Sequence, residues 1–180
     1  DFTTEDKFFE KSQELSALQI HHSVGVVGLK QHFDQIAALR KRLPTNVYMW
    51  INAYKREPNY YSNDEINFLE NIDPLFRDNL PWYESFGKDC KAGSEVVSIE
   101  GNGDLFRCHF IKTRKGNIFQ DSLISLLEKE PCSKATCHCH IGYIYLDSLQ
   151  SVKVYGSGLL ERIPVGFPGS GAIISSSLHP

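Results

Sequence analysis

Over the first 73 residues, segments with apolar residues at helical spacing take turns with short apolar runs typical of strands. Apolar residues at helical spacing predict helices, and short β-branched runs predict buried strands. The predicted elements are helices over 4–18 and 30–43 and strands over 21–29 and 46–54. The order α-β-α-β with short connections predicts parallel strands joined by right-handed crossovers. Residues 1–73 are therefore expected to form part of an α/β sheet or barrel.

Ser62 to Glu65 reads as a capping box for a third helix of the first part, which Asp73-Pro74 should end. The pattern changes after residue 73. Residues 94–111 read as two strands around Gly-Asn-Gly-Asp, a strong hairpin signal, and 116–130 as a turn and a short helix. This second part is expected to be a small α+β module.

All five cysteines lie in this second part, at Cys90, Cys108, Cys132, Cys137 and Cys139. A secreted disulfide scaffold usually has an even number of cysteines, spread through a short chain. Clustered thiols in a reducing compartment more often hold a metal, so we expect a cytoplasmic protein with a thiolate site. Thiolates select zinc, copper(I) or iron–sulfur clusters. Five thiols exceed the four that one zinc ion or one cubane needs, so one cysteine is expected to be spare.

Other interpretations of the site candidates stay open. Any single cysteine is often a small buried hydrophobe, and His138 and His140 are expected to support the ligands rather than bind metal. A zinc ribbon usually shows two Cys-x-x-Cys knuckles, which the sequence lacks. Gly28 and Asn52 lie near the ends of the two predicted parallel strands, where such folds place cofactors, so we treat both as candidate cofactor-binding residues. The alternative interpretations are a turn residue for Gly28 and a loop cap for Asn52.

The charge of the chain narrows the class of partner. The net charge is −3, which gives no electrostatic reason to expect nucleic acid or an anionic membrane. No apolar run approaches the roughly 20 residues of a membrane-spanning helix. We therefore expect neither nucleic acid nor a membrane as a partner.

The cysteine and glycine spacing resembles a known module. Cys90, twelve residues, Gly103, four residues and Cys108 resemble the start of the SPASM or twitch domain, the auxiliary-cluster region of many radical S-adenosylmethionine (radical SAM) enzymes. The segments "HSVGVVGL", "RCHFI", "CHCHIGYIYL" and "LERIP" together resemble one subgroup of these proteins. The resemblance implies that a [4Fe–4S] cluster, held by Cys90, Cys108 and two of the other three cysteines, supports electron transfer or substrate binding. It also implies that the earlier α/β part is the end of a partial (β/α)6 barrel.

The chain departs from the family in one respect. Radical SAM enzymes open their barrel with Cys-x-x-x-Cys-x-x-Cys, and no cysteine precedes Cys90. We therefore expect the C-terminal half of such an enzyme, which generates no radical alone and uses S-adenosylmethionine only with an N-terminal half or companion protein. Its substrate would be a peptide or a small molecule. The alternative is a zinc-binding structural or interaction module without catalysis.

These expectations define the predicted domain organisation. The predicted divisions are a partial α/β barrel segment over 1–73, a linker over 74–84, a SPASM/twitch-like cluster module over 85–146, and a C-terminal extension with a flexible tail over 147–180.

Overall fold

The computed structural model describes residues 5–156 and 158–168. These residues divide into two compact units, the first drawn from 1–80 and 152–180 and the second from 81–151. The predicted limits at 73, 84 and 146 stay a prediction. The extension predicted from 147 onwards includes 152–168, which belong with the first unit, while the tail beyond 168 lies outside the described residues.

The first unit contains two parallel strands joined through a helix. Its elements are α1 (Glu5–Ala17), β1 (Ser23–Val27), α2 (Phe33–Arg42), β2 (Tyr48–Asn52), α3 (Asn63–Glu70) and α6 (Val152–Tyr155). Strands β1 and β2 pair in parallel with Val24 opposite Met49, which confirms the predicted parallel strands, while the right hand of the crossover stays a prediction. The capping box at Ser62 and Glu65 is also confirmed, because each side chain bonds the other residue's backbone N–H.

The core of the first unit lies on one side of this small sheet. Met49, Ile51, Leu69 and Phe76 are almost fully buried, which removes their apolar surface from water and stabilises the unit. The prediction that β1 is buried on both faces was wrong, because Val27 is 49% exposed. Among the described residues the sheet has two strands and closes no barrel.

The second unit contains two small antiparallel sheets. Its elements are β3 (Tyr83–Glu84), β4 (Ser98–Ile99), β5 (Asp104–Cys108), β6 (Ile111–Asn117), α4 (Leu123–Leu126), β7 (Thr136–Cys137) and α5 (His140–Tyr143). Strands β4, β5 and β6 form one sheet in that order, and β3 pairs with β7. The β4–β5 hairpin and the short helix α4 are confirmed.

Two irregularities interrupt the pairing of β5 with β6. The register shifts between Leu105 and Phe106 and again between Phe106 and Cys108. Such bulges re-aim side chains locally. As a result Leu105, Phe106 and Arg107 are consecutively buried, where a regular strand would alternate between two faces.

The chain is therefore of mixed α and β structure with small sheets. None of the helices within the described ranges has both the length and the apolar character needed to cross a membrane.

Candidate metal centre

Backbone pairing brings distant parts of the second unit towards Cys90. Cys90 forms an antiparallel bridge with Leu146, and the next residue, Lys91, donates its N–H to Tyr145 O at 3.0 Å. Cys90 is 5% exposed. This buried cysteine therefore lies beside the segment that follows α5.

Cys132 lies against the turn just before Cys90. Its N–H donates to Lys88 O at 3.0 Å, and its carbonyl accepts from Gly87 N at 2.8 Å. The same contact continues along the chain, because Ser85 donates its N–H to Ala135 O and its hydroxyl to Lys134 O. Residues 132–137 thus run along residues 83–88.

Cys137 and Cys139 lie at the start of α5. Cys137 pairs with Tyr83, and its Sγ lies 2.6 Å from where a Cβ on residue 142 would be, so glycine is required there for close approach. Phe110, two residues after Cys108, lies against the same glycine. Cys139 is the N-cap residue of α5, and its carbonyl accepts from the backbone N–H groups of the helix. The end of β5 and the start of α5 therefore meet at Gly142.

Two of the thiols have raised pKa values. Burial, with smaller contributions from Cys132, Cys108, Cys90 and Cys139 in that order, raises the pKa of Cys137 to about 12. Burial also raises the pKa of Cys90, to which Cys132 and Cys108 add. Both shifts show that the thiols of Cys90 and Cys137 are buried and lie in the neighbourhood of other thiols.

The donor chemistry of this cluster fits a thiolate-bound metal. All five cysteines are free, and backbone pairing links the segment of Cys90 with those of Cys132 and Cys137. Within residues 5–156 and 158–168, however, no three cysteine, histidine or acidic side chains already surround a common point as ligands. A metal site at these cysteines therefore stays a prediction.

A buried cation lies in the same region. Arg107 is 4% exposed and lowers the pKa of Cys90, against the larger effect of burial. Its Nε donates to Ala92 O at 2.9 Å and its Nη1 donates to Pro131 O. No signal in the sequence marked this arginine, because basic residues on a short strand are ordinarily solvated.

The histidines near the cysteines are held by ring contacts. His138 stacks on Trp82 with ring centroids 4.1 Å apart, and buried His140 has its Nδ1 3.3 Å from Tyr143 Oη. His109 lies in the turn after β5, where burial lowers its pKa, with smaller contributions from Lys112 and His138. These contacts are compatible with the expected role of His138 and His140 as supports for metal ligands, and that role stays a prediction.

Gly28 and Asn52 lie together at the carboxyl ends of β1 and β2. Gly28 N donates to Asn52 O at 3.0 Å, and Gly28 O accepts from the Tyr61 hydroxyl at 2.6 Å. A Cβ on residue 28 would lie 3.0 Å from both Ile51 and Tyr61. Side chains of the protein therefore occupy the space beside Gly28, and cofactor binding by this pair stays a prediction.

Comparison with protein-family models, with curated proteins and with solved structures gives no match for this chain.

Proposed function

We propose that the second unit is the auxiliary iron–sulfur region of a radical SAM enzyme. The observation that carries the proposal is the backbone pairing that places Cys132 against the turn before Cys90, in a unit that contains all five free cysteines. Cys90, Cys108, Cys132 and Cys137 would be the ligands, and Cys139 the spare thiol. When bound, a [4Fe–4S] cluster supplies electron transfer, or substrate ligation at an iron with an open position.

The residues of this chain have defined tasks in that proposal. The pairing of Cys90 with Leu146 and of Cys132 with Lys88 holds two ligands in place before metal binds. Gly142 leaves room for the sulfur of Cys137. The buried surroundings that raise the pKa values of both Cys90 and Cys137 keep them as thiols without metal, so metal binding should release protons.

The first unit is compatible with the same family. Parallel β1 and β2 with a crossover through α2 are the repeating unit of a partial (β/α)6 barrel, and the open strand edge leaves a place for further strands. The chain lacks the Cys-x-x-x-Cys-x-x-Cys motif. We propose that S-adenosylmethionine cleavage requires an N-terminal half or a companion protein, and that the assembly acts in the cytoplasm on a peptide or small molecule.

Anaerobic reconstitution with iron and sulfide tests this proposal. We expect about four iron ions and four sulfide ions per chain, in a brown protein with a broad absorbance band in the visible range. Serine at Cys90, Cys108, Cys132 or Cys137 should abolish this absorbance, and Cys139→Ser should retain most of it. Cys139→Ser is the matched control, because it removes a thiol from the same segment.

Metal analysis of the purified protein distinguishes the alternative. One zinc ion and no sulfide, in a colourless protein, would replace the cluster proposal with a zinc-binding structural module. An equal loss of visible absorbance in all five cysteine variants would contradict the assignment of Cys139 as the spare thiol.

A further inference from the structure

The first unit contains a mostly apolar cavity of about 470 Å³, whereas all five cysteines belong to the second unit. The cavity lies beside Tyr48, the first residue of β2, and therefore at the opposite end of that strand from Asn52. Its apolar walls include Met49, Ile72, Leu75 and Phe167. Its volume lies within the range of about 300–1,000 Å³ that is typical of small-molecule sites.

Packing and backbone hydrogen bonds hold the wall around Phe167 in place. The ring of Phe167 meets the ring of Tyr48 edge to face, with centroids 4.9 Å apart. Phe167 N donates to Pro164 O at 3.1 Å, and Val165 N donates to Val154 O in α6 at 2.8 Å. Phe167 is nevertheless only half-buried. An apolar ligand would therefore find a formed surface and remove more of it from water.

Arg40 places a positive charge in this apolar wall. Its Nη1 donates to Val47 O at 2.6 Å, and its Nη2 donates to Leu43 O at 2.9 Å and to Pro44 O at 2.6 Å. A guanidinium has five N–H donors, so Nε and one N–H of Nη1 remain after these three bonds. The bonds fix the plane of the guanidinium and leave it the capacity to bind a further acceptor.

No acidic side chain within 5–156 and 158–168 balances the charge of Arg40. Burial lowers the pKa of Arg40, and no described carboxylate raises it in turn. Asp73 accepts a hydrogen bond from Tyr48 beside the cavity, but the cation that lowers the pKa of Asp73 is Arg162. The three carbonyls that Arg40 binds carry only partial charges. A full negative charge from outside the chain would therefore complement the cavity, and the planar guanidinium matches a carboxylate best.

We propose that this cavity binds a small monocarboxylate with an apolar body. Arg40 receives the carboxylate, and the apolar body packs against Met49, Ile72, Leu75 and Phe167. A ligand with further charges would bury them against apolar walls without partners, which is unfavourable. The proposal goes beyond the function proposed above and requires no metal at the cysteines.

Calorimetric titration of the whole chain with decanoate, below its micelle concentration, tests this proposal. Decan-1-ol and decyltrimethylammonium have the same alkyl chain with a neutral and a positive head group. We expect decanoate to bind, decan-1-ol to bind about tenfold more weakly or worse, and decyltrimethylammonium to give no measurable binding; tenfold corresponds to about 1.4 kcal/mol. Equal affinities for decanoate and decan-1-ol would overturn the role given to Arg40.

A matched pair at Thr45 tests the site without removing the bonds of Arg40. Thr45 lines the cavity with Arg40 and is exposed, so a longer side chain is tolerated there. Thr45→Glu supplies a carboxylate that competes for Arg40, and Thr45→Gln has the same size without the charge. We expect decanoate to bind about tenfold more weakly or worse in Thr45→Glu and within about threefold of the wild type in Thr45→Gln. Thr113→Glu, at an exposed threonine of the second unit, is the control for added charge and should leave the affinity unchanged.

The outcomes separate this inference from the proposed function. Equal affinities in Thr45→Glu and Thr45→Gln, or equal weakening in Thr45→Glu and Thr113→Glu, would overturn the inference. Arg40→Gln should also weaken decanoate about tenfold, and if that variant does not fold, the Thr45 pair decides. A wild type that binds iron but not decanoate overturns this inference alone, and one that binds decanoate but neither iron nor zinc overturns only the proposed function.

Discussion

The buried carboxylate of Asp73 gives the sharpest test of how the first unit is held together. Asp73 is 1% exposed and accepts three hydrogen bonds. The donors are the Tyr48 hydroxyl at 2.6 Å, Ile51 N at 2.8 Å and Leu75 N at 3.1 Å. These bonds fix strand β2 to the segment that follows α3. Replacing Asp73 should therefore destabilise the first unit without touching the cysteine cluster.

The size of the effect follows from the number of donors left unpaired. Each buried donor without a partner costs about 1–3 kcal/mol. In Asp73→Asn the amide oxygen can replace Oδ1, which serves Tyr48 and Leu75, while the amide nitrogen would face the buried N–H of Ile51. We expect a loss of about 1–3 kcal/mol for one unpaired donor in Asp73→Asn. Asp73→Ala leaves all three unpaired, for which we expect about 3–6 kcal/mol, allowing for partial relaxation.

Urea unfolding followed by tryptophan fluorescence measures this difference. The chain has two tryptophans, Trp50 in the first unit and Trp82 in the second, so a Trp82→Phe background isolates the first unit. Asp34→Asn on the exposed face of α2 is the control, with an expected change within about 0.5 kcal/mol. Equal losses in Asp73→Asn and Asp73→Ala, or losses no larger than that of the control, would refute the account of the three bonds.

The same carboxyl should make the stability depend on pH. Burial raises the pKa of Asp73 above its ordinary value, and its three hydrogen-bond donors and Arg162 oppose this without reversing it. A raised folded-state pKa gives stability that is fully present below the unfolded pKa of about 3.9 and lost as pH rises through the folded value. The advantage of the wild type over Asp73→Asn should therefore narrow as the pH is raised from 4 to 8. A widening advantage would contradict the direction of the shift.

Three further expectations follow from the structure. Arg40→Met should cost about 1–3 kcal/mol, because Arg40 donates to three loop carbonyls at 2.6–2.9 Å, whereas Lys41→Met on the exposed surface should cost less than 0.5 kcal/mol in urea unfolding. Gly142→Ala should reduce iron retention after reconstitution, because its Cβ would lie 2.6 Å from Cys137 Sγ, and unchanged iron content would contradict that packing. Chelation of bound metal should lower the thermal midpoint of the second unit, read from Trp82 fluorescence, and leave that of the first unit unchanged; coincident shifts would show that the two are coupled.

Local signals in the sequence predicted much of the first unit. Parallel strands, the crossover helix and the capping box at Ser62 each depend on residues close together in the chain, so period and spacing reveal them. Strand β6 was missed because Lys112, Thr113 and Arg114 are exposed and polar, which leaves no alternation to detect. Helix α5 was missed because the residues that follow the cysteine cluster show no clear helical period.

Tertiary contacts decided the features that the sequence did not show. Arg40 belongs to a basic run that reads as a solvated helix end, yet its guanidinium binds the loop into β2. Arg107 is buried because irregular pairing of β5 with β6 breaks the alternation of faces. Neither the path of a loop nor a bulge in a strand can be recognised from the residues next to the arginine in the sequence.

The cysteines show where sequence and structure each contribute to the candidate site. Spacing alone nominates five thiols, and the two-residue separation of Cys137 and Cys139 makes them equivalent in an extended segment. The structure removes this equivalence, because Cys137 belongs to β7 while Cys139 is the N-cap of α5. Burial raises the pKa of both Cys90 and Cys137, which spacing alone could not show. If Cys90, Cys108, Cys132 and Cys137 hold a metal, the site is defined by strand pairing as much as by cysteine spacing, and a ligand set read from spacing alone would remain ambiguous at Cys137 and Cys139.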